Sequence, residues 1–270
     1  MATPEEIERQ RLIGNAHIIY EGASYFLDIE DEVERGIFQR RISLPDYEWF
    51  KETTGENHWV LYNPMYFKKD RTTSGKKILK FDEKGYKGGR VELPINASSC
   101  CGMFSWCTLP ENINFGSLFN TRRVVDMNLM FAGCIMPEGF NLGRHFNTLD
   151  CKEMRYMFYE CVLPDKFQFD NKFVTDKVEH MEYMFSECRI PDGLKMPDVF
   201  NTTNVKDMNH MFYETNFVGT FDFGKNFVLR AQTDTSAMFS ECVIDGAQIE
   251  EKYSEDFAYI KLRLAGKDIQ

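Results

Sequence analysis

The sequence predicts an α/β repeat solenoid, with a short strand and a short helix in every 27-residue coil, preceded by a small N-terminal α+β domain. Three observations carry that prediction. Met-Phe begins at Met103, Met130, Met157, Met184, Met211 and Met238, each 27 residues after the last without insertion. Apolar residues alternate at one phase of the unit, as in Ile113-Asn-Phe115, Phe140-Asn-Leu142 and Phe167-Gln-Phe169, the mark of a strand with one buried face. At another phase Met208, Met211 and Phe212 fall at i, i+3 and i+4 behind Asp207, which suits one or two helical turns with an acidic N-cap.

The elements follow in chain order. Residues 1–95 do not repeat and read as an α+β domain or cap. Thr3-Pro4-Glu5-Glu6 forms a capping box with Pro at the first helical position, opening a helix that runs to about Ile13. Ile18–Tyr20, Ile37–Leu44, Trp59–Tyr62, Ile78–Phe81 and Val91–Leu93 are strand-like, and Asp46–Thr53 reads as a short helix. Residues 96–245 hold the six coils. Pro110, Pro137, Pro164 and Pro191 stand before the strand phase, where an extended entry tolerates them. A polar turn follows Phe119, Phe146, Phe173, Phe200 and Phe227. Residues 246–270, with Ile249, Tyr253, Phe257 and Ile260 at helical spacing, read as a C-terminal cap.

The unit pattern MFxxC-x-[LI]-P-[ED]-x-[FL]-x-[FLM], with FNT-x-x-V-x-D-M before the next Met-Phe, resembles the BspA-like (bacterial surface protein) variant of leucine-rich repeats. The resemblance spans roughly residues 97–245. It implies a right-handed, leucine-rich-repeat-like solenoid used for protein–protein contact, with no catalytic residues to carry over, and a surface adhesin as one setting.

Composition narrows the function class. The 270 residues carry 32 Lys+Arg against 42 Asp+Glu, a net charge of −10, and 43% are hydrophobic, which excludes a disordered chain. No apolar run reaches the 18 or more residues of a membrane span. The start, MATPEEIERQRL, has no apolar signal core, so a cytoplasmic location with reduced thiols is expected. The 24 Phe, 14 Met and 8 Cys concentrate on fixed repeat phases, which marks them as core. One Cys per coil (Cys107, Cys134, Cys161, Cys188, Cys242) lacks the close-paired spacing of zinc ligands. No metal or cofactor is expected. Walker, dinucleotide, nucleophile-elbow and His-Glu-x-x-His motifs are absent and the five His are scattered, so the chain reads as non-enzymatic.

Three sets of residues are candidate contact sites. Glu160, Glu187, Glu214 and Glu241 share one repeat position. Like charges stacked about 5 Å apart repel, so they read either as a solvated face or as an acidic stripe for a basic partner. Asn114, Asn141, Gln168, Lys195 and Asp222 lie between the buried residues of the strand phase and read either as a varied recognition face or as exposed positions free to drift. Residues 67–90 carry nine Lys or Arg against three acidic residues, with Phe67, Phe81 and Tyr86 interleaved. Lys76, Lys77, Lys80 and Lys84 are there the candidates for a polyanion. The expected function is thus protein binding, as an inhibitor or adaptor offering an acidic face to a basic, nucleic-acid-handling partner. Polyanion or nucleic-acid binding through residues 67–90 is the alternative, and adhesion the third.

Overall fold

The computed structural model describes residues 48–51, 59–62, 64–91, 93, 97–116 and 119–266. The helix expected from Thr3 and the strands expected at Ile18–Tyr20 and Ile37–Leu44 lie outside those residues. Strand β1 (Glu48–Lys51) pairs antiparallel with β2 (Trp59–Tyr62), so the predicted helix over Asp46–Thr53 is corrected to a strand where described. Its alternation puts Phe50 edge-on against Tyr62 at 6.4 Å, both buried. A second hairpin joins β3 (Phe67–Arg71) to β4 (Lys77–Phe81). In β4 the two-residue period sends Leu79 and Phe81 into the core, while Lys80 keeps the partly exposed face. Gly75 closes the turn with φ +78, a left-handed conformation that glycine adopts without strain.

This hairpin seats the first repeat. The Phe81 amide donates to the Met103 carbonyl at 2.6 Å, and the Phe81 ring packs 5.3 Å from that of Phe104. Strand β5 (Arg90–Val91) pairs parallel with β6 (Asn114–Phe115). From there successive units are joined in parallel at a spacing of 27 residues. One column of bridges runs Ser99, Asp126, Glu153, His180, Asp207, Asp234. A second runs Thr108, Ile135, Val162, Arg189 and continues as β7 (Arg189–Ile190), β9 (Asn216–Phe217) and β11 (Val243–Ile244). A third is partial, β8 (Leu194–Lys195) against β10 (Phe221–Asp222). Strand β12 (Ala247–Gln248) turns back on β11, and one α-helix, α1 (Phe257–Leu264), follows.

The α/β repeat solenoid is therefore corrected. The described residues form small sheets with a single α-helix outside the repeats, and no unit contains the predicted short helix. The Asp-Met-x-x-Met-Phe stretch is a ribbon of turns, and its hydrogen bonds show why. The amides of Met127, Leu129, Phe131 and Gly133 donate to Glu153, Arg155, Met157 and Tyr159 of the next unit. Only the intervening Met130, Ala132 and Cys134 donate locally, each to the carbonyl three residues back. A helix would close every amide onto its own chain. Every fourth residue here is also left-handed, as at Tyr156 and Glu160 or His210 and Glu214, with φ between 51° and 57°, which a right-handed helix excludes. Asp207 accordingly accepts from the Asn209 amide at 2.9 Å in a local turn and caps no helix. The apolar spacing was a true report of burial, because Met127, Met130 and Phe131 are all fully buried.

The predicted strands at Phe140–Leu142 and Phe167–Phe169 do not form either. Side-chain amides take the place of the ladder. Gln168 donates to the Gly193 carbonyl at 3.1 Å and accepts from the Lys195 amide at 3.2 Å, while Asn141 accepts from the Gly143 amide within its own turn.

The core is a set of axial columns. The rings of Phe104, Phe131, Phe158, Phe185, Phe212 and Phe239 stack at 5.3–5.5 Å. Phe257 of α1 covers the last of them at 6.0 Å. A second column joins Phe146, Phe173, Phe200 and Phe227. The buried hydroxyls of Thr121, Thr148, Thr175 and Thr202 donate to backbone carbonyls of the following unit. Among the described residues no helix is long and apolar enough to cross a membrane.

Candidate functional site

A concave surface lies where the β3–β4 hairpin meets the first three repeats. Ile78 and Thr72 close over Gly102, where an added Cβ would stand 2.9 Å from Ile78 Cδ1 and 3.5 Å from Thr72 Cγ2. The absence of that side chain lets the hairpin lie against the repeats. Between them runs a cleft of about 570 Å³. Its cations are Arg71, Lys76 and Lys80 from the hairpin and Arg155 from the second repeat, its rings are Trp106, Tyr156 and Tyr159, and no carboxylate lines it among the described residues.

The four cations differ in what balances them. Lys76 Nζ is 2.6 Å from Asp126 Oδ2, whose side chain is 7% exposed. Burial lowers the Lys76 pKa, but the Asp126 carboxylate, with smaller contributions from Cys101 and Glu153, outweighs it and holds the pKa above its ordinary value. Arg155 pairs with Glu153 and, at 2.8 Å, with Glu182. Lys80 is half-buried and has no carboxylate partner among the described residues. Among the described residues the Arg71 guanidinium reaches only the Gly75 carbonyl, at 3.5 Å. Lys80 also stands directly across the hairpin from Lys68, a like-charge pairing that costs stability in a sheet.

The rings are held as firmly as the core. Tyr156 stacks on Tyr183 at 4.8 Å and meets Tyr159 edge-on at 5.6 Å. Trp106 is 54% exposed. It occupies the repeat position that holds Gly133 in the next unit and Glu160, Glu187, Glu214 and Glu241 thereafter, left-handed in every case. A Cβ on Gly133 would overlap the indole, so the ring lies against bare backbone of the neighbouring unit.

Of the polyanion candidates, Lys76 and Lys80 line the cleft; Lys77 and Lys84 do not. The four glutamates do form one axial column. Glu187, Glu214 and Glu241 are exposed and Glu160 is half-buried. Glu187 accepts from the Tyr159 hydroxyl at 2.8 Å and Glu241 from that of Tyr213 at 3.1 Å. Burial and these bonds raise the Tyr159 pKa; at Tyr213 the glutamate hydrogen bonds lead. Elsewhere part of the acidity is paired between units, as in Asp150–Lys177, Asp165–Arg189 and Asp198–Lys225. The varied face is also partly committed to structure. Gln168 replaces ladder bonds to the next unit, and Asn141 is held within its own turn. Asp222 accepts from the Gly224 amide at 2.9 Å and pairs with Lys195 at 3.4 Å. Asn114 is exposed on β6.

The sequence places Arg71 in the basic segment without singling it out, and Trp106, Arg155, Tyr156 and Tyr159 are not among its candidates. A signal existed for Trp106, since it and Gly133 are the two departures from Glu in their column, and both lie in the units nearest the basic segment.

The thiols form no site of their own. All eight are free and buried, and burial pushes Cys107 up to about 11 and Cys101 and Cys242 up to about 12, the direction that disfavours a reactive thiolate. Cys134 and Cys242 donate to the carbonyls of Phe104 and Phe212, and Thr215, which interrupts the column, makes the same bond to Phe185 at 2.7 Å. Among the described residues no group of three or more His, Cys, Asp or Glu is placed to hold a metal ion.

No curated protein and no solved structure matches the chain. A family described as "Mycoplasma protein of unknown function, DUF285" matches residues 99–194 and again 146–251. These matches cover the repeats and more than half of the 270 residues, and the chain belongs to that family.

Proposed function

We propose that the protein is a non-enzymatic binding module that takes an anionic ligand in the cleft between the β3–β4 hairpin and the first repeats. One observation carries the reading: in a chain of net charge −10 this cleft is lined, among the described residues, by four cations and no carboxylate. Isolated cations on a surface are ordinary, but convergent ones in a concave, partly apolar setting act with less screening. Lys80 and Arg71 supply charge that no described carboxylate neutralises. We further propose a cytoplasmic location, which the eight free, buried thiols support.

The test is titration with tripolyphosphate by calorimetry at low and high salt. Binding is expected at low salt, weaker as salt rises, and reduced severalfold in Lys80→Ala and in Arg71→Ala. Absence of binding at low salt, or binding indifferent to both substitutions, would sink the proposal.

A second reading rests on the exposed Glu187, Glu214 and Glu241 column, which offers a basic protein partner an acidic edge. Polylysine binding that survives reversal of all three glutamates to Lys would exclude it.

A further inference from the structure

We infer that the cleft is a nucleotide site, in which a base stacks on the exposed indole of Trp106 while its phosphate meets Lys80 and Arg71. The inference rests on the reading of the cleft as the binding site and adds the chemistry of what enters it.

Phosphate alone explains the cations and leaves the rings without a role. Trp106 is the reason to go further. A large aromatic ring 54% exposed loses burial free energy that a core position would give. Its setting is built: a left-handed backbone at Trp106, φ 58, and a glycine at the same position one unit on, φ 63, with no Cβ to lift the ring. One part of the indole is thereby backed by the Gly133 main chain, and the remainder is open at the cleft. A flat, supported, solvent-facing ring is a stacking platform, and bases stack on such rings because every base has a π-face. Tyr156 and Tyr159, fixed by their contacts with Tyr183 and with each other, add apolar wall. Thr72, Thr73, Ser74 and Asn128 add hydrogen-bonding groups for sugar and base edges.

The combination is specific in kind. An acidic peptide would satisfy the cations without needing a planar platform. A neutral aromatic would use the platform without the cations. A nucleotide needs both. The volume of about 570 Å³ falls within the roughly 300–1,000 Å³ of small-ligand sites, so the site admits one nucleotide, free or as a unit of a single strand.

Three probes separate the possibilities on the full chain: tripolyphosphate, adenosine 5′-triphosphate, and a ten-residue adenine deoxyoligonucleotide. ATP or the oligonucleotide is expected to bind about tenfold or more tightly than tripolyphosphate, the scale of one base stacked on an aromatic ring. Trp106→Ala should erase that advantage and leave tripolyphosphate binding unchanged. Trp106→Phe should keep part of it, and a circular dichroism spectrum like the wild type establishes that each variant folds. Preference for ATP over the oligonucleotide assigns a free nucleotide, and the reverse assigns a strand. Equal affinity for all three probes, or a base preference that survives Trp106→Ala, overturns the inference while leaving the anion site standing. If none of the probes binds at low salt, both the inference and the anion site are wrong.

Discussion

The first two repeats and the four that follow share a backbone and differ in what they carry on it. At the left-handed position after Met-Phe, the early units have Trp106 and Gly133 and the later ones Glu160, Glu187, Glu214 and Glu241. The hydrogen-bonded frame is the same on both sides of that divide, with the amides of Phe131, Phe158, Phe185 and Phe212 all donating to the Met-Phe of the next unit. The lesson is a division of labour. Core columns fix the path of the chain, and surface columns change sign and chemistry along it at no cost to that path. One end thereby presents rings and cations, and the rest presents glutamates.

The largest expected effect tests whether the frame is as continuous as that comparison requires. Phe158 is fully buried between Phe131 and Phe185, so Phe158→Ala should cost about 3–5 kcal/mol in urea unfolding. A loss below about 1 kcal/mol would mean that the Phe column does not hold the two regions together.

The next converts one region toward the other. Gly133→Glu gives the second repeat the residue of its successors, at the price of displacing the Trp106 ring and placing a side chain at φ 63. The expected loss is about 2–3 kcal/mol, of which roughly 1–2 kcal/mol is left-handed strain. In a Trp106→Ala background only the strain should remain, so the double-mutant cycle reads the contact between ring and backbone directly. Additive losses would show that glycine at this position has nothing to do with the tryptophan.

The smallest sharpens the account of the shared frame. Ala237 holds φ 52 with a methyl group as its whole side chain. Ala237→Gly should therefore raise stability by about 0.5–1 kcal/mol, strain relief exceeding the entropy that glycine adds to the unfolded chain. A loss of stability would argue that left-handed residues here are unstrained, and the contrast between Gly133 and its neighbours would lose its physical basis.

Much of this architecture was legible in the residues, and the failures share a cause. The repeat length and the buried columns came directly from Met103 to Met238 and from the fixed Phe positions, because burial is what side-chain spacing records. The path of the backbone did not, since Met127, Met130 and Phe131 at i, i+3 and i+4 lie on one side of a turn ribbon as readily as on one side of a helix. Which amides donate across units and which locally depends on φ at Leu129 and Gly133, and nothing in leucine announces a left-handed residue. Similarly, Gln168 in the strand phase reads as an exposed recognition residue, whereas its amide stands in for two ladder bonds. The cleft was half legible. Lys76 and Lys80 stand out in a basic segment, but Trp106, Arg155 and Tyr159 join them only through a stacking of units that local sequence does not encode.

The constant 27-residue spacing of the parallel bridges has a consequence for inheritance. Removing residues 157–183 would join Tyr156 to Met184 and offer the same donors to equivalent acceptors, and duplicating them would do the same in reverse. In-frame gain or loss of a whole unit is therefore a mutation that the scaffold absorbs, whereas gain or loss of a single residue inside a unit throws every later column out of register. Length in this chain is a trait that changes in steps of one unit, and a step taken among the units from Met184 onward lengthens or shortens the glutamate edge without removing a residue that lines the cleft.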